Sequence, residues 1–210
     1  DVYKRQAILY AISLLKERGD IPHGLPVFLD SPMAVHTTEL YKKHPHAHRL
    51  NAQGIRDLEN IATMIESIDQ SKKLASRHGP MVILAASGMA TGGRVLHHLA
   101  HYLPNHRNMV ILTGYQAPGT RGATLANGSG VVRIHSKDIQ INAEVVQLQS
   151  SSAHADAVQL VDWLRSMKEA PSQVYVVHGE PEASDALRQR IHQSLGWRAL
   201  VPEHGSTWPT

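Results

Sequence analysis

The stretch GPMVILAASGMATGGRVLHHLAHYLP, residues 79–104, decides the fold class predicted from this sequence. It begins with an apolar run and continues through a turn rich in Ser and Gly. In the last part Leu96, Leu99 and Leu103 recur at helical spacing, so one face of a helix is apolar. The stretch therefore predicts a buried strand followed by a helix.

The same order of strand and helix occurs earlier. LPVFLDS (25–31) predicts a short buried strand, with Ser31 as N-cap and Pro32 at the first helical position. We interpret Asp30 and Ser31 as residues that shape the turn and cap the helix rather than carry chemistry. AILYAISLLKERGD (7–20) is typical of an amphipathic helix. The repeated alternation predicts an α/β fold with a mostly parallel sheet flanked by helices.

Further strands are predicted downstream. Residues 107–128 give a strand and a Gly-Pro turn, and residues 131–149 give two or three strands around a polar turn at Ser136 and Lys137. An apolar stripe then predicts a helix that begins near Ala155. The predicted order closes with the strand SQVYVVHGE, the helix PEASDALRQRIHQSLG and the strand RALVP.

Polar residues follow several of these strands directly. His154 follows the strand AEVVQLQ, and His178 ends the strand QVYVV after one intervening helix. Strands joined by such a crossover run parallel, so we expect the two to be neighbours with both histidines at one sheet edge. The pairs Ser87-Gly88 and Gly114-Tyr115 also follow strands, where open α/β sheets bind ligands. We expect these turns to converge on one cleft.

The composition sets limits on function. The 210 residues are 42% hydrophobic and include no Cys, so a metal would have to bind through His, Asp or Glu. No run of about eighteen apolar residues and no secretory leader is visible, so we expect a cytoplasmic protein without a membrane partner. The net charge of +3 permits a nucleic-acid partner without proving one. HPHAH (44–48) and HHLAH (97–101) are interpreted as surface stretches.

The first six residues, DVYKRQ, match the translation of a transposase adapter used in sequencing libraries. We therefore expect residues 1–6 to be a non-native leader and the natural protein to begin earlier.

Two motifs near the end carry a resemblance to a known family. SAHAD (152–156) and VHGE (177–180) are similar to the C-terminal motifs of β-CASP RNA hydrolases of the metallo-β-lactamase fold, such as RNase J and the pre-mRNA cleavage-and-polyadenylation endonuclease. The upstream pieces match in order: LDSPMA (29–34), ASGMATGGR (86–94), GYQAPGTRG (114–122) and VRIHSKDIQINAEV (132–145).

The resemblance implies a domain arrangement. A β-CASP domain, with helices on both faces of a parallel sheet, is expected over residues 7–143. The C-terminal part of a metallo-β-lactamase αββα domain is expected over residues 144–210. In the family two zinc ions are bound mainly by an N-terminal HxHxDH motif, and this sequence lacks that motif. We therefore expect a C-terminal fragment whose partner is the missing N-terminal half.

The resemblance also assigns roles to the two histidines. His178 matches a zinc ligand, and neutral imidazole suits that metal. His154 matches the histidine that stabilises the scissile phosphate or protonates the leaving oxygen. Asp156 is grouped with it as catalytic, although it could orient the loop or the imidazole, or cap the helix. Glu180 is interpreted as a helix N-terminal acid ahead of Pro181 rather than as a residue that orients His178.

Phosphate contacts are predicted in two glycine-containing turns. Backbone N–H groups after a strand can cradle a phosphate. In the first turn the candidate residues are Ser87, Gly88 and Arg94. Thr120 and Gly122 are added because they resemble a family loop beside the RNA path. Arg94 could instead cover the helix surface. The arginine that the family often carries is here Ala123, and Arg121 is the residue that could compensate.

Together these features predict a zinc-dependent ribonuclease that hydrolyses single-stranded RNA in its full-length form, while this fragment alone is inactive. Two alternatives stay open: a catalytically inactive RNA-binding or scaffolding relative, and the DNA-processing branch of the same superfamily. A homodimer is also left open.

Overall fold

The structure, a computed structural model, describes residues 2–47, 54, 56–57, 60–148 and 154–208. The chain divides into an N-terminal unit, Asp1–Ala153, and a C-terminal unit, His154–Thr210. None of the described helices combines the length and apolar composition needed to span a bilayer.

The first part of the N-terminal unit is a three-stranded parallel sheet with β1 in the centre. The strand order is β2-β1-β3, and all four residues of β1 are buried, as predicted for LPVFLDS. Ser31 is the N-cap of α2 and Pro32 is its first residue, as predicted. The elements are α1 (Val2–Glu17), β1 (Val27–Asp30), α2 (Pro32–Lys43), a 3-10 turn (Pro45–Ala47), β2 (Thr63–Met64), α3 (Ile68–Ala75) and β3 (Val82–Ala85).

The second part of this unit contains a parallel strand pair and a hairpin. β4 and β7 pair in parallel, and β5 and β6 pair in antiparallel orientation. Of the two or three strands predicted over 131–149, the structure has three. The turn lies one residue earlier than predicted, at His135 and Ser136, both with positive φ. The elements are α4 (Val95–Tyr102), β4 (Met109–Leu112), α5 (Arg121–Ala126), β5 (Val131–Ile134), β6 (Lys137–Gln140) and β7 (Glu144–Gln147).

The leucine stripe of α4 forms the centre of the larger core of this unit. Leu96, Leu99 and Leu103 are buried together with side chains from β4, α5 and the hairpin, including Leu112, Leu125, Val132 and Ile134. The helix predicted from the opening stretch is thereby confirmed.

The C-terminal unit is a small α/β arrangement. β8 and β9 pair in parallel, and the core contains Val161 and Leu164 from α6, Val176 and Ile191. The helix predicted near Ala155 begins at Ala157. The elements are α6 (Ala157–Arg165), β8 (Val174–Tyr175), α7 (Pro181–Leu195) and β9 (Ala199–Leu200).

The predicted pairing of the strands that precede His154 and His178 is wrong for the described residues. β7 pairs with β4, β8 pairs with β9, and the two pairs belong to different units. Backbone hydrogen bonds explain why β7 pairs with β4. The amides of Asn142 and Ala143 donate to Leu103 O, and that of Glu144 donates to Asn108 O. These bonds hold the start of β7 beside β4.

A buried carboxylate joins three elements of the N-terminal unit. Asp30, at the end of β1, is 1% exposed. Its Oδ2 accepts a hydrogen bond from Ser71 Oγ at 2.5 Å and lies 2.6 Å from His98 Nε2, while its Oδ1 accepts from Arg94 Nη1 at 2.8 Å. Burial alone raises the pKa of the Asp30 carboxyl. The hydrogen bonds and the charge of His98 outweigh that effect, so the pKa lies below its ordinary value of 3.8.

The network corrects the interpretation of HHLAH as a surface stretch. His97 and His101 are exposed, but His98 is only 8% exposed. Residues four apart share a helix face, so His98 lies on the inward face with Tyr102, whose hydroxyl donates to Leu74 O at 2.9 Å. In HPHAH, residues 44–47 are exposed as predicted, and His48 lies outside the described residues.

The first turn of α5 packs tightly against the loop of residues 86–94. Thr120 is the N-cap, and its Oγ1 accepts from the Ala123 amide at 3.1 Å. The Gly122 amide donates to Met89 O at 2.9 Å. A β-carbon on Gly122 would lie 1.7 Å from Gln116 Oε1 and 3.1 Å from the Met89 carbonyl carbon. Only glycine therefore fits here without displacing its neighbours.

We expect Asp30→Asn to lower the free energy of unfolding at neutral pH by about 3 kcal/mol, because Arg94 keeps its charge and loses the opposite charge. The carboxylate has a lowered pKa in the folded state, so it stabilises the protein above pH 3.8 and this contribution disappears as the pH falls through the folded-state value. The difference in the free energy of unfolding between wild type and variant should therefore shrink as the pH is lowered from neutral into acid. Urea unfolding followed by circular dichroism at a series of pH values measures this difference.

Asp20→Asn is the matched control, because Asp20 pairs with Arg18 on the surface and its loss should change little. All three tryptophans lie in the C-terminal unit, so their fluorescence reports separately on that unit. If the free energies of unfolding of wild type and Asp30→Asn differ by the same amount at every pH, the role assigned to the carboxylate is contradicted.

We expect Gly122→Ala to destabilise the N-terminal unit by about 2 kcal/mol, because the added methyl group overpacks the contact with Gln116 and Met89. Gly130→Ala is the control, since a β-carbon there meets no atom within 4 Å. Urea unfolding of both variants gives the comparison, and equal stability would show that the contact can relax.

Candidate functional site

The turn that carries His154 is fixed by a capping box. Asp156 is the N-cap of α6, and its Oδ1 accepts from the amides of Val158 and Gln159 at 2.8 and 2.9 Å. In return Gln159 Oε1 accepts from the Asp156 amide at 2.9 Å. Of the roles considered for Asp156, helix capping is therefore the one visible in the geometry, and its catalytic role stays a prediction. His154 is exposed, and Ser152 and Ala153 of the motif lie outside the described residues.

His178 follows β8 in an unusual backbone conformation. Its φ is +63°, in the left-handed region that few residues other than glycine adopt, and Gly179 after it has φ +120°. The His178 side chain is exposed and its carbonyl accepts from Ser184 Oγ at 3.5 Å. His178 also lines an open cavity of about 680 Å³ with Tyr175, Val177, His204, Trp208 and neighbouring residues. Glu180 occupies the N-cap of α7 ahead of Pro181, which is the helix-start position predicted for it.

The metal predicted for His178 needs more ligands than the described part of the chain offers. Within the described ranges, no group of three or more His, Asp or Glu side chains is arranged to hold a metal ion. A catalytic zinc takes three protein ligands or more. The described residues therefore do not form a zinc site by themselves, and His178 stays a predicted single ligand.

The loop after β3, residues 86–94, is held by its own serine. Ser87 and Ala90 have positive φ, +70° and +52°. Ser87 Oγ accepts from the amides of Thr91 and Gly92 at 3.1 and 3.3 Å, and Ser87 O accepts from the Ala90 amide. The hydroxyl predicted to contact phosphate is thus used within the loop.

Several amides of this loop are left over, including two consecutive ones in the part of the loop before Ala90. The N–H groups of Gly88 and Met89 donate to no residue that the structure describes. Consecutive amides in a loop with a left-handed residue form a concavity that attracts anions. The geometry therefore favours backbone N–H groups over the Ser87 side chain as the anion-binding element.

The guanidinium of Arg94 forms hydrogen bonds within the N-terminal unit. Besides Asp30, its guanidinium donates to Ile65 O at 3.1 Å and to Glu66 O at 2.8 Å. These contacts give Arg94 a structural role that neither of the two sequence interpretations included. Its contact with phosphate stays a prediction.

Thr120 and Gly122 lie beside this loop, as the bond from Gly122 to Met89 shows. Thr120 lines a shallow cavity of about 370 Å³ with Thr91, Gly119, Arg121, Thr124, Val132 and Arg133. The fold thus brings together Ser87, Gly88, Thr120 and Gly122 in the N-terminal unit. His154, Asp156 and His178 all belong to the C-terminal unit.

Sequence reasoning missed three roles in the N-terminal unit. The sequence pattern places Asp30 in the turn, although a carboxylate that ends a buried apolar strand is itself a sign of a buried pair. Met89 was not singled out, because a backbone amide leaves no mark in the side-chain pattern. Arg121 was considered only as a cation for phosphate.

Comparison with protein families identifies two regions. Residues 5–125, more than half of the chain, match the Beta-Casp domain, and residues 138–202 match the Zn-dependent metallo-hydrolase RNA specificity domain. The first match includes the loop of residues 86–94 and the first turn of α5, and the second includes His154 and His178.

Curated relatives agree with this assignment. A ribonuclease of Thermus thermophilus is 36% identical over 193 residues, which are 89% of this chain and 43% of the relative. An RNase J-like protein of Methanocaldococcus jannaschii is 30% identical over 207 residues, 98% of this chain and 48% of the relative. The transcription termination factor FttA of the same organism is 32% identical over 188 residues, which are 84% of this chain and 30% of the relative.

The chain spans less than half the length of each of these relatives. Both family models match in the order expected from the sequence motifs, and the α/β fold with parallel strands agrees with them. The chain therefore belongs to the β-CASP family of the metallo-β-lactamase superfamily.

Proposed function

We propose that this chain is the C-terminal part of a zinc-dependent ribonuclease that hydrolyses phosphodiester bonds of single-stranded RNA. The observation that carries the proposal is the pair of exposed histidines in one compact unit, His154 before α6 and His178 after β8. The match to an RNA specificity domain over residues 138–202 supports RNA as the substrate. We place the domain boundary at residues 143 and 144, a few residues inside the second matched region, which begins at residue 138.

The chain's own residues would divide the work. His154 donates a proton to the leaving oxygen or stabilises the charge on the phosphate. Asp156 acts on His154 by fixing the turn through its capping box. The amides of Gly88 and Met89 bind a phosphate of the RNA. When bound, zinc would supply the activated hydroxide and two cations that offset the developing charge.

His178 contributes one zinc ligand, and the upstream half of the complete protein contributes the others. We therefore expect the 210-residue chain alone to cleave no RNA, with or without added zinc. A labelled single-stranded RNA incubated with the purified chain, with zinc or with a chelator, measures this. Cleavage that depends on metal would contradict the assignment of the missing ligands to the upstream half.

In the complete protein we expect His154→Ala and His178→Ala both to lower the rate of RNA cleavage, by about 10²-fold or more. Only His178→Ala should lower the zinc content, because only that residue is assigned to the metal. Metal analysis and single-turnover cleavage rates measure the two effects. Zinc loss in both variants, or in neither, would overturn the division of roles.

His192→Ala is the matched control, because His192 is an exposed histidine of α7 in the same unit. It should change neither zinc content nor cleavage. A complete protein that binds RNA and cuts nothing would favour the inactive relative. Preferential cleavage of DNA of the same sequence would favour the DNA-processing branch.

A further inference from the structure

Arg121, the first residue of α5, is bound to main-chain carbonyls. Its Nε donates to Arg133 O at 2.6 Å, and its Nη1 lies 3.3 Å from Ala90 O and 3.5 Å from Thr91 O. One guanidinium therefore links the hairpin of β5 and β6 to the loop of residues 86–94. The rigid fork of an arginine suits such a bridge, and a lysine would not reproduce it.

The next residue extends this contact. The Gly122 amide donates to Met89 O at 2.9 Å, so the first turn of α5 holds the carbonyls of Met89, Ala90 and Thr91 in succession. Ala90 has the left-handed φ of +52°, a conformation that costs free energy in a non-glycine residue. The contacts from α5 therefore add to the bonds that Ser87 makes within the loop in holding Ala90 there.

We propose that Arg121 is a positioning residue that orders the loop of residues 86–94 so that the amides of Gly88 and Met89 can bind an RNA phosphate. This inference rests on the proposed function. It differs from the role first considered for Arg121, that of a cation replacing the arginine expected at Ala123. The donors Nε and Nη1 point at carbonyl oxygens of the protein, so the guanidinium acts on phosphate through the loop.

Arg133 provides the matched comparison. It lines the same shallow cavity, and its side chain is 72% exposed. Its Nη1 lies 3.6 Å from Asp138 Oδ1, which is a long ion pair. Arg121 contacts the Arg133 carbonyl, which a side-chain substitution leaves in place. Arg133→Met therefore removes the same charge from the same cavity without removing the bridge.

The first measurement is amide hydrogen exchange by NMR in the absence of RNA. In Arg121→Met and Arg121→Lys we expect exchange of the Ala90, Thr91 and Gly92 amides to rise about tenfold, because the loop opens more often. Arg133→Met should leave these amides unchanged. Circular dichroism confirms that each variant is folded. Unchanged exchange in Arg121→Met, or full rescue by Arg121→Lys, would overturn the ordering role.

The second measurement is binding of a labelled single-stranded oligo(U) of about 12 nucleotides across a range of salt concentrations. We expect Arg121→Met to weaken binding about tenfold, because ordering the loop then costs binding free energy. The dependence of log affinity on log salt should keep its slope, since no phosphate contact is lost. A slope lower by about one, with normal exchange, would mean a direct phosphate contact and overturn the proposal.

The two measurements separate the inference from the function on which it rests. Failure of the wild-type chain to bind the RNA would contradict the proposed function. The exchange rates in Arg121→Met would still decide whether Arg121 orders the loop.

Discussion

The carboxylate of Asp30 at the end of β1 is the contact on which the N-terminal unit depends. Moving a carboxylate out of water costs several kcal/mol unless partners replace the lost hydration. Those partners are Ser71 from α3, Arg94 at the N-cap of α4 and His98 within α4. Each partner must reach the end of β1, so two helices are fixed relative to the central strand.

This constraint extends to the candidate phosphate-binding loop. Arg94 ends the loop of residues 86–94 and is held by Asp30, while Met89, Ala90 and Thr91 are held by the first turn of α5. Fixed at its end and its middle, the loop keeps Ser87 and Ala90 at positive φ. The amides of Gly88 and Met89 are then presented without a partner among the described residues.

The C-terminal unit relies on local interactions. The capping box between Asp156 and Gln159 spans four residues, and the turn at His178 and Gly179 leads into α7 through its N-cap, Glu180. Such short-range contacts position two histidines without a large core. They do not assemble a metal site, for which the described residues offer no cluster of ligands. In our proposal this unit supplies chemistry that becomes effective only with the upstream half.

The sequence by itself determined the strand at 25–31, the start of α2 at Ser31, the leucine face of α4, the strand-rich character of residues 131–149 and the family. These features are local, because periodicity and capping act over a few residues, and the motifs are contiguous. Only the tertiary structure decided that β7 pairs with β4, that His98 is buried, and that Arg94 and Arg121 bind within the protein. Those contacts join residues separated by 12 to 68 positions. Their geometry follows from packing, which no local pattern encodes.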